Sequence, residues 1–137
     1  MRRPFKDSVY PADWPAIAQR VKEDASWRCL RCHVAHGPVP HILTVHHLDG
    51  DKGNGRWWNL VALCQRCHLR IQGCVRMERP WILEHTPWFR IYAAGFYAWK
   101  YLGLDLSRTE VEARLDELLA LEKVAVLSVA PQEAVHA

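Results

Sequence analysis

The stretch that decides the fold is framed by Cys29-Leu30-Arg31-Cys32 and Cys64-Gln65-Arg66-Cys67, two pairs of identical spacing with 31 residues between them. Each CxxC pair presents two thiolates on a tight turn, and a structural Zn²⁺ takes four such soft ligands in a tetrahedron. A redox motif would not need a second copy. Nothing at the start of the chain reads as a secretory signal, so the expected compartment is reducing and disulfides are disfavoured there. The spacing therefore predicts one zinc ion on Cys29, Cys32, Cys64 and Cys67, clipping together segments distant in sequence. Cys74 is surplus to a full site and reads as an inert packed thiol.

Outward from the pairs, residues 11–26 have helical periodicity, with Asp13 as N-cap and Trp14, Ile17, Ala18, Val21 and Ala25 on one face. Gly37 to His41 contains two prolines and marks a loop. The run Ile42 to Leu48 has the β-branched content of a strand, Asp49 to Gly55 consists almost entirely of turn formers, and Leu60 to Leu63 returns as a second strand. A short helix over Cys67–Gln72, ending before Gly73, completes a local order of strand, turn, strand, helix.

At 137 residues, half of them apolar and 24% charged, the chain is a single small domain or one with an appendage, of ordinary globular composition. Its aromatic tail holds only nine uncharged residues in a row, Ile91 to Trp99, against roughly 18 needed to span a bilayer, so no membrane span and a cytoplasmic location are expected. The net charge of +3 is uneven. Residues 1–74 carry 11 Lys or Arg against 6 Asp or Glu, and residues 75–137 carry 7 against 9. A basic first half is compatible with a polyanion partner and equally with a solvated face.

Three of the eight histidines, His46, His47 and His68, fall with Asn59 inside a 23-residue window between and just beyond the cysteine pairs. Imidazole titrates near neutrality and also binds borderline metals. Those are the two services that phosphodiester hydrolysis needs, a base to take a proton from water and an ion to stabilise developing charge.

The order Val45-His46-His47-Leu48-Asp49-Gly50, then Asn59-Leu60-Val61-Ala62-Leu63-Cys64-Gln65-Arg66-Cys67-His68, resembles the HNH endonucleases, or ββα-metal nucleases, from about Trp27 to Ile71. The resemblance implies a small α+β fold in which a ββα-metal core is clipped by a four-cysteine zinc site. It implies His47 as general base, Asn59 as the middle residue that fixes the loop and orients the base, and His68 as a ligand of the catalytic metal. His46 stands where many relatives carry aspartate, and is implied to be a ligand too. An imidazole there tilts preference from Mg²⁺ towards Mn²⁺, Ni²⁺, Co²⁺ or Zn²⁺. Adjacent strand residues face opposite sides, so the alternative for either histidine of the pair is packing alone. Asn54 competes for the Asn59 role, but Asn54-Gly55 is a turn signature in its own right. His33 repeats the Cys-His step with nothing converging on it, and reads as a surface residue or one supporting the zinc site.

Arg28, Arg31, Lys52, Arg56, Arg66 and Arg70 decorate the knuckles and the loop as candidate DNA phosphate contacts. Trp57 and Trp58 offer a groove wedge, or packing against the knuckle. The division expected is a nuclease domain over 1–74, with its N-terminal helix and zinc knuckles, and a helical extension over 75–137 packing on it or on a partner chain. In that extension Thr86 and Pro87 open a helix closed by Gly103, with Phe89, Phe96 and Trp99 on its apolar face. Ser107 and Glu110 form a capping-box pattern for a second helix, and residues 128–137 read as frayed. The function expected is hydrolysis of DNA phosphodiesters, nicking or double-strand, leaving 5′-phosphate and 3′-hydroxyl ends. The family context implies a phage- or mobile-element-type member, with a homo-oligomer or a packaging or restriction partner. The rival is a catalytically silent zinc-ribbon module that binds nucleic acid or protein.

Overall fold

The computed structural model describes residues 9–71 and 87–122. Expectations for Gly73, Cys74, Thr86 and residues 128–137 lie outside the described residues. The chain divides into two compact units, Met1–Arg76 and Met77–Ala137.

In the first unit, helix α1 (Trp14–Asp24) leads into the first cysteine pair. It is shorter than expected at both ends. The Asp13 side chain makes no capping bond, and Ser26 and Trp27 both adopt φ 56°, a left-handed conformation that a helix cannot continue through. Strands β1 (Leu43–His47) and β2 (Leu60–Cys64) pair antiparallel, with Leu43 opposite Cys64, Thr44 opposite Leu63 and His47 opposite Leu60. A 3₁₀ turn, Trp57–Asn59, feeds β2. Every residue of β2 is buried, because helices cover both faces of this two-stranded sheet. Side chains alternate across a strand. The odd residue His47 meets Trp14 of α1, and the even residues Thr44 and His46 meet His68 of helix α2 (Gln65–Ile71) on the opposite face.

α2 starts two residues earlier than expected. Cys64 is the last residue of β2 and Cys67 lies in the first turn of α2, so the second knuckle is the strand-to-helix junction. The first N–H groups of a helix lack partners within it. Here Gln65 N–H donates to Ile42 O at 3.0 Å and Arg66 N–H to Pro40 O at 3.3 Å, so the loop before β1 serves as the cap.

In the second unit a 3₁₀ turn at Pro87–Phe89 runs into helix α3 (Arg90–Leu102). Gly103, at φ 68°, closes it, and Leu104 N–H returns to Ala98 O at 3.0 Å, a left-handed closure that a β-carbon would strain. Phe89, Tyr92, Phe96 and Tyr97 are buried, whereas Trp99, with its ring 6.4 Å from that of Phe96, is 38% exposed. The Ser107–Glu110 capping box is formed in both directions. The helix it opens breaks at Arg114 (φ −120°), giving α4 (Arg108–Ala113) and α5 (Leu115–Leu119), so three α-helices stand among the described residues of this unit where two were expected. Arg114 binds Glu117 one turn on, and Val111 and Leu118 anchor the two short helices in the core. No helix among the described residues is long and apolar enough to cross a membrane.

Candidate metal centres and active site

The sulfurs of Cys29, Cys32, Cys64 and Cys67 all lie within 4.8 Å of one another. Cys32 Sγ and Cys64 Sγ, from different knuckles, are 3.8 Å apart. A tetrahedron of Zn–S bonds of about 2.3 Å has an edge of about 3.8 Å, so the four residues fit one zinc ion. The first knuckle is built for it. His33 adopts φ 67°, which turns the chain so that His33 N–H bonds Cys29 O, while Cys32 N–H donates to Cys29 Sγ at 3.4 Å. Leu30 N–H bonds Ala62 O and stitches this knuckle to β2. Burial pushes the Cys29 thiol up, but backbone N–H groups at Cys32, Cys64 and Arg31 outweigh it and bring the thiol down to about 7. Cys67 is pushed up to about 12 by burial, with Arg31 opposing from 3.4 Å. Four sulfurs this close cannot all ionise without a cation among them.

On the sheet face covered by α2, His46 Nδ1 lies 3.0 Å from His68 Nε2. Two nitrogens about 2.1 Å from one ion at a right angle are separated by about 3.0 Å, so the pair fits two adjacent ligands of a single divalent cation. Burial, then the like charges that His68 and His47 would carry, hold His46 down to about 4. Burial lowers His68 as well. Both rings are therefore neutral at pH 7, the form that binds metal.

His47, on the other face, is only 7% exposed. Trp14 packs on it with ring centroids 4.9 Å apart, and Tyr10 stands at 5.8 Å. Its Nε2 is buried without a hydrogen-bond partner among the described residues. Burial lowers its pKa, the carboxylates of Asp49 and Asp51 oppose that shift, and Lys52 and His68 reinforce it. The structure thus brings His46 and His68 together and holds His47 apart from them.

Asn59 is fully buried and ties the loop between the strands. Its Nδ2 donates to Asp49 Oδ1 at 2.8 Å and to Asn54 O at 2.9 Å, and its Oδ1 accepts Asp49 N–H at 2.8 Å. Asn54 Nδ2 binds the other Asp49 oxygen at 2.7 Å. Asp49 is thus the hub of the loop, a role the turn pattern alone does not disclose. Asn54 and Asn59 both belong to the network rather than competing for one position in it.

Among the basic residues, Arg66 and Arg70 are exposed on α2. Arg28 donates to His33 O, Arg31 to Cys67 Sγ and Arg56 to Asn54 Oδ1, and Lys52 lies 5.3 Å from the Tyr10 ring centre.

Residues 32–70, which hold both histidines of the strand, Asn59, His68 and three of the four cysteines, match the family model described as HNH endonuclease. Over this segment, which is less than half of its length, the chain is similar to the HNH endonucleases. The HNH segment and its two-stranded sheet with flanking helices agree with the small α+β fold expected. Over 62 residues the chain is 32% identical to the Zorya protein ZorE of Escherichia coli, a match that covers 45% of this chain and 17% of that protein. No solved structure matches.

Beyond the site residues expected from the HNH pattern, Thr44 contacts His68, Asp49 binds Asn59 and Trp14 packs on His47. Thr44 was within reach of sequence reasoning, since it shares the face of His46 by the two-residue period of a strand. Trp14 was not, because nothing in its own helix says which strand face that helix covers.

Proposed function

We propose that the protein is a divalent-metal-dependent endonuclease that hydrolyses DNA phosphodiester bonds and leaves 5′-phosphate and 3′-hydroxyl ends. The observation that carries this reading is the 3.0 Å approach of His46 Nδ1 to His68 Nε2, one residue away from His47, inside a segment that matches the HNH endonucleases. A divalent ion on His46 and His68 supplies Lewis-acid stabilisation of the charge that develops on the phosphoryl and leaving oxygens. His47 is the general base. Its lowered pKa keeps it neutral at pH 7 and able to accept a proton from water. With Nε2 enclosed, Nδ1 is the nitrogen left for that transfer. Asn59 acts one step back, holding through Asp49 the loop that follows directly on His47. Arg66 and Arg70 stand on the exposed surface of the His68 helix, where contacts to phosphate give affinity and register rather than sequence choice.

The test is a plasmid-nicking assay with Mn²⁺ or Mg²⁺ beside the His47→Ala and His68→Ala proteins. His47→Ala is expected to bind divalent metal normally and lose about 10²–10⁴-fold in cleavage. His68→Ala is expected to weaken metal binding and regain part of its activity at higher metal concentration. Wild-type protein that carries zinc, binds DNA and cleaves nothing in any divalent metal would favour the silent zinc module instead.

A further inference from the structure

Thr44 hydroxyl lies between two acceptor-capable partners. Its Oγ1 is 2.8 Å from Leu63 O, on the cross-strand neighbour, and 3.1 Å from His68 Nδ1. A threonine hydroxyl carries one hydrogen, and a carbonyl oxygen only accepts. The hydrogen therefore points at Leu63 O, and what Oγ1 turns towards His68 is a lone pair. His68 must supply the other hydrogen from Nδ1.

From this arrangement we propose that Thr44 is a positioning residue that fixes His68 as its Nδ1–H tautomer and so keeps the Nε2 lone pair aimed at the metal position beside His46. The proposal rests on the reading that His46 and His68 hold the divalent ion. Nothing in the HNH motif assigns position 44 a part. The neutral imidazole has one N–H, and if Nδ1 spends it on Thr44, Nε2 is bare and points at His46 Nδ1, 3.0 Å away. In the ion-free protein His46 must then donate from Nδ1 into that lone pair. The two ligands hold each other in place before metal arrives, and only His46 has to change tautomer on loading. Thr44 and His46 lie on one strand face two residues apart, so the His68 ring is gripped at both nitrogens from a single rigid element. An outer partner of this kind, fixing the tautomer of a ligating histidine, typically contributes about 10–100-fold in metal affinity.

The experiment uses the full chain, zinc-loaded, as wild type, Thr44→Val and Thr44→Ser. Long-range ¹H–¹⁵N spectra without added metal should show His68 protonated on Nδ1 in wild type and in Thr44→Ser, and a mixed or Nε2–H ring in Thr44→Val. Calorimetric titration with Ni²⁺ should show about 10–100-fold weaker binding for Thr44→Val and near wild-type binding for Thr44→Ser. A wild-type His68 protonated on Nε2 would overturn the proposal without any variant having to fold. Equal tautomer and equal Ni²⁺ affinity in Thr44→Val would overturn it too. If wild type takes up no Ni²⁺ at His46 and His68, the metal reading itself fails and the proposed role falls with it, whereas the spectra still report whether Thr44 sets the tautomer.

Discussion

Trp14 lies against the imidazole of His47 with centroids 4.9 Å apart and the ring planes tilted by 33°. This contact, with Tyr10 beside it, walls in the proposed base from the α1 side and contributes to its burial. Burial disfavours the charged ring, so the His47 pKa lies below its usual 6.5. As pH falls, the neutral base persists below 6.5 and is lost only as pH passes through the lowered value. At saturating metal, the acid limb of kcat/KM in wild type should therefore lie below 6.5. Trp14→Ala admits water to the ring and should move that limb up towards 6.5. An unmoved limb would mean that Trp14 does not set the protonation of His47.

His46→Asp puts a hard oxygen where an imidazole stands. Cleavage should be retained and metal preference should move towards Mg²⁺, which favours oxygen ligands in near-octahedral geometry. The measurement is nicking rate in Mg²⁺, Mn²⁺ and Ni²⁺ for both proteins. If His46→Asp is inactive in every metal while His47→Ala still cleaves, the two histidines have exchanged roles.

Removal of the structural ion should be global in the first unit. The purified chain is expected to hold about one tightly bound zinc. Cys29→Ser, or a strong chelator, should unfold or aggregate the protein, because structural zinc binding is folding free energy. Metal analysis with circular dichroism checks this, and an intact fold without metal at the four sulfurs would contradict it.

Asn59→Ala should cost about 3 kcal/mol in urea unfolding, since it leaves buried partners at Asp49 and Asn54 unsatisfied at about 1–3 kcal/mol each. Asn59→Asp should be at least as damaging, because it replaces the donor facing Asp49 Oδ1 at 2.8 Å with a second carboxylate. A loss below about 1 kcal/mol for both would remove Asn59 from its place as the loop's fastener.

The zinc cluster was legible in the sequence because CxxC spacing is a local constraint, and both strands were legible because β-branched content and turn formers are local as well. The break at Arg114 was not. Val111, Leu115 and Leu118 keep helical spacing straight across it, so nothing local in the sequence marks the break. The start of α2 at Gln65 was hidden for a similar reason, since its cap is the carbonyls of Pro40 and Ile42, more than twenty residues away in sequence. The pairing of His46 with His68 followed from the motif. The cover on His47 depends on which face α1 packs against, a tertiary fact that no spacing within either element encodes.

Cys67 and His68 are consecutive residues of α2, one turned to the sulfur cluster and the next to His46. An order of assembly follows from that adjacency. Until zinc has drawn the two knuckles together, the first turn of α2 lacks the anchor at Cys67 and keeps its capping bonds to Ile42 and Pro40, so His68 is held less firmly against β1. The second ion would then meet a looser pair of imidazoles, and its affinity would fall by part of the chelate advantage. On the proposed reading, newly made chains would thus be armed in sequence, zinc first and the second ion after it.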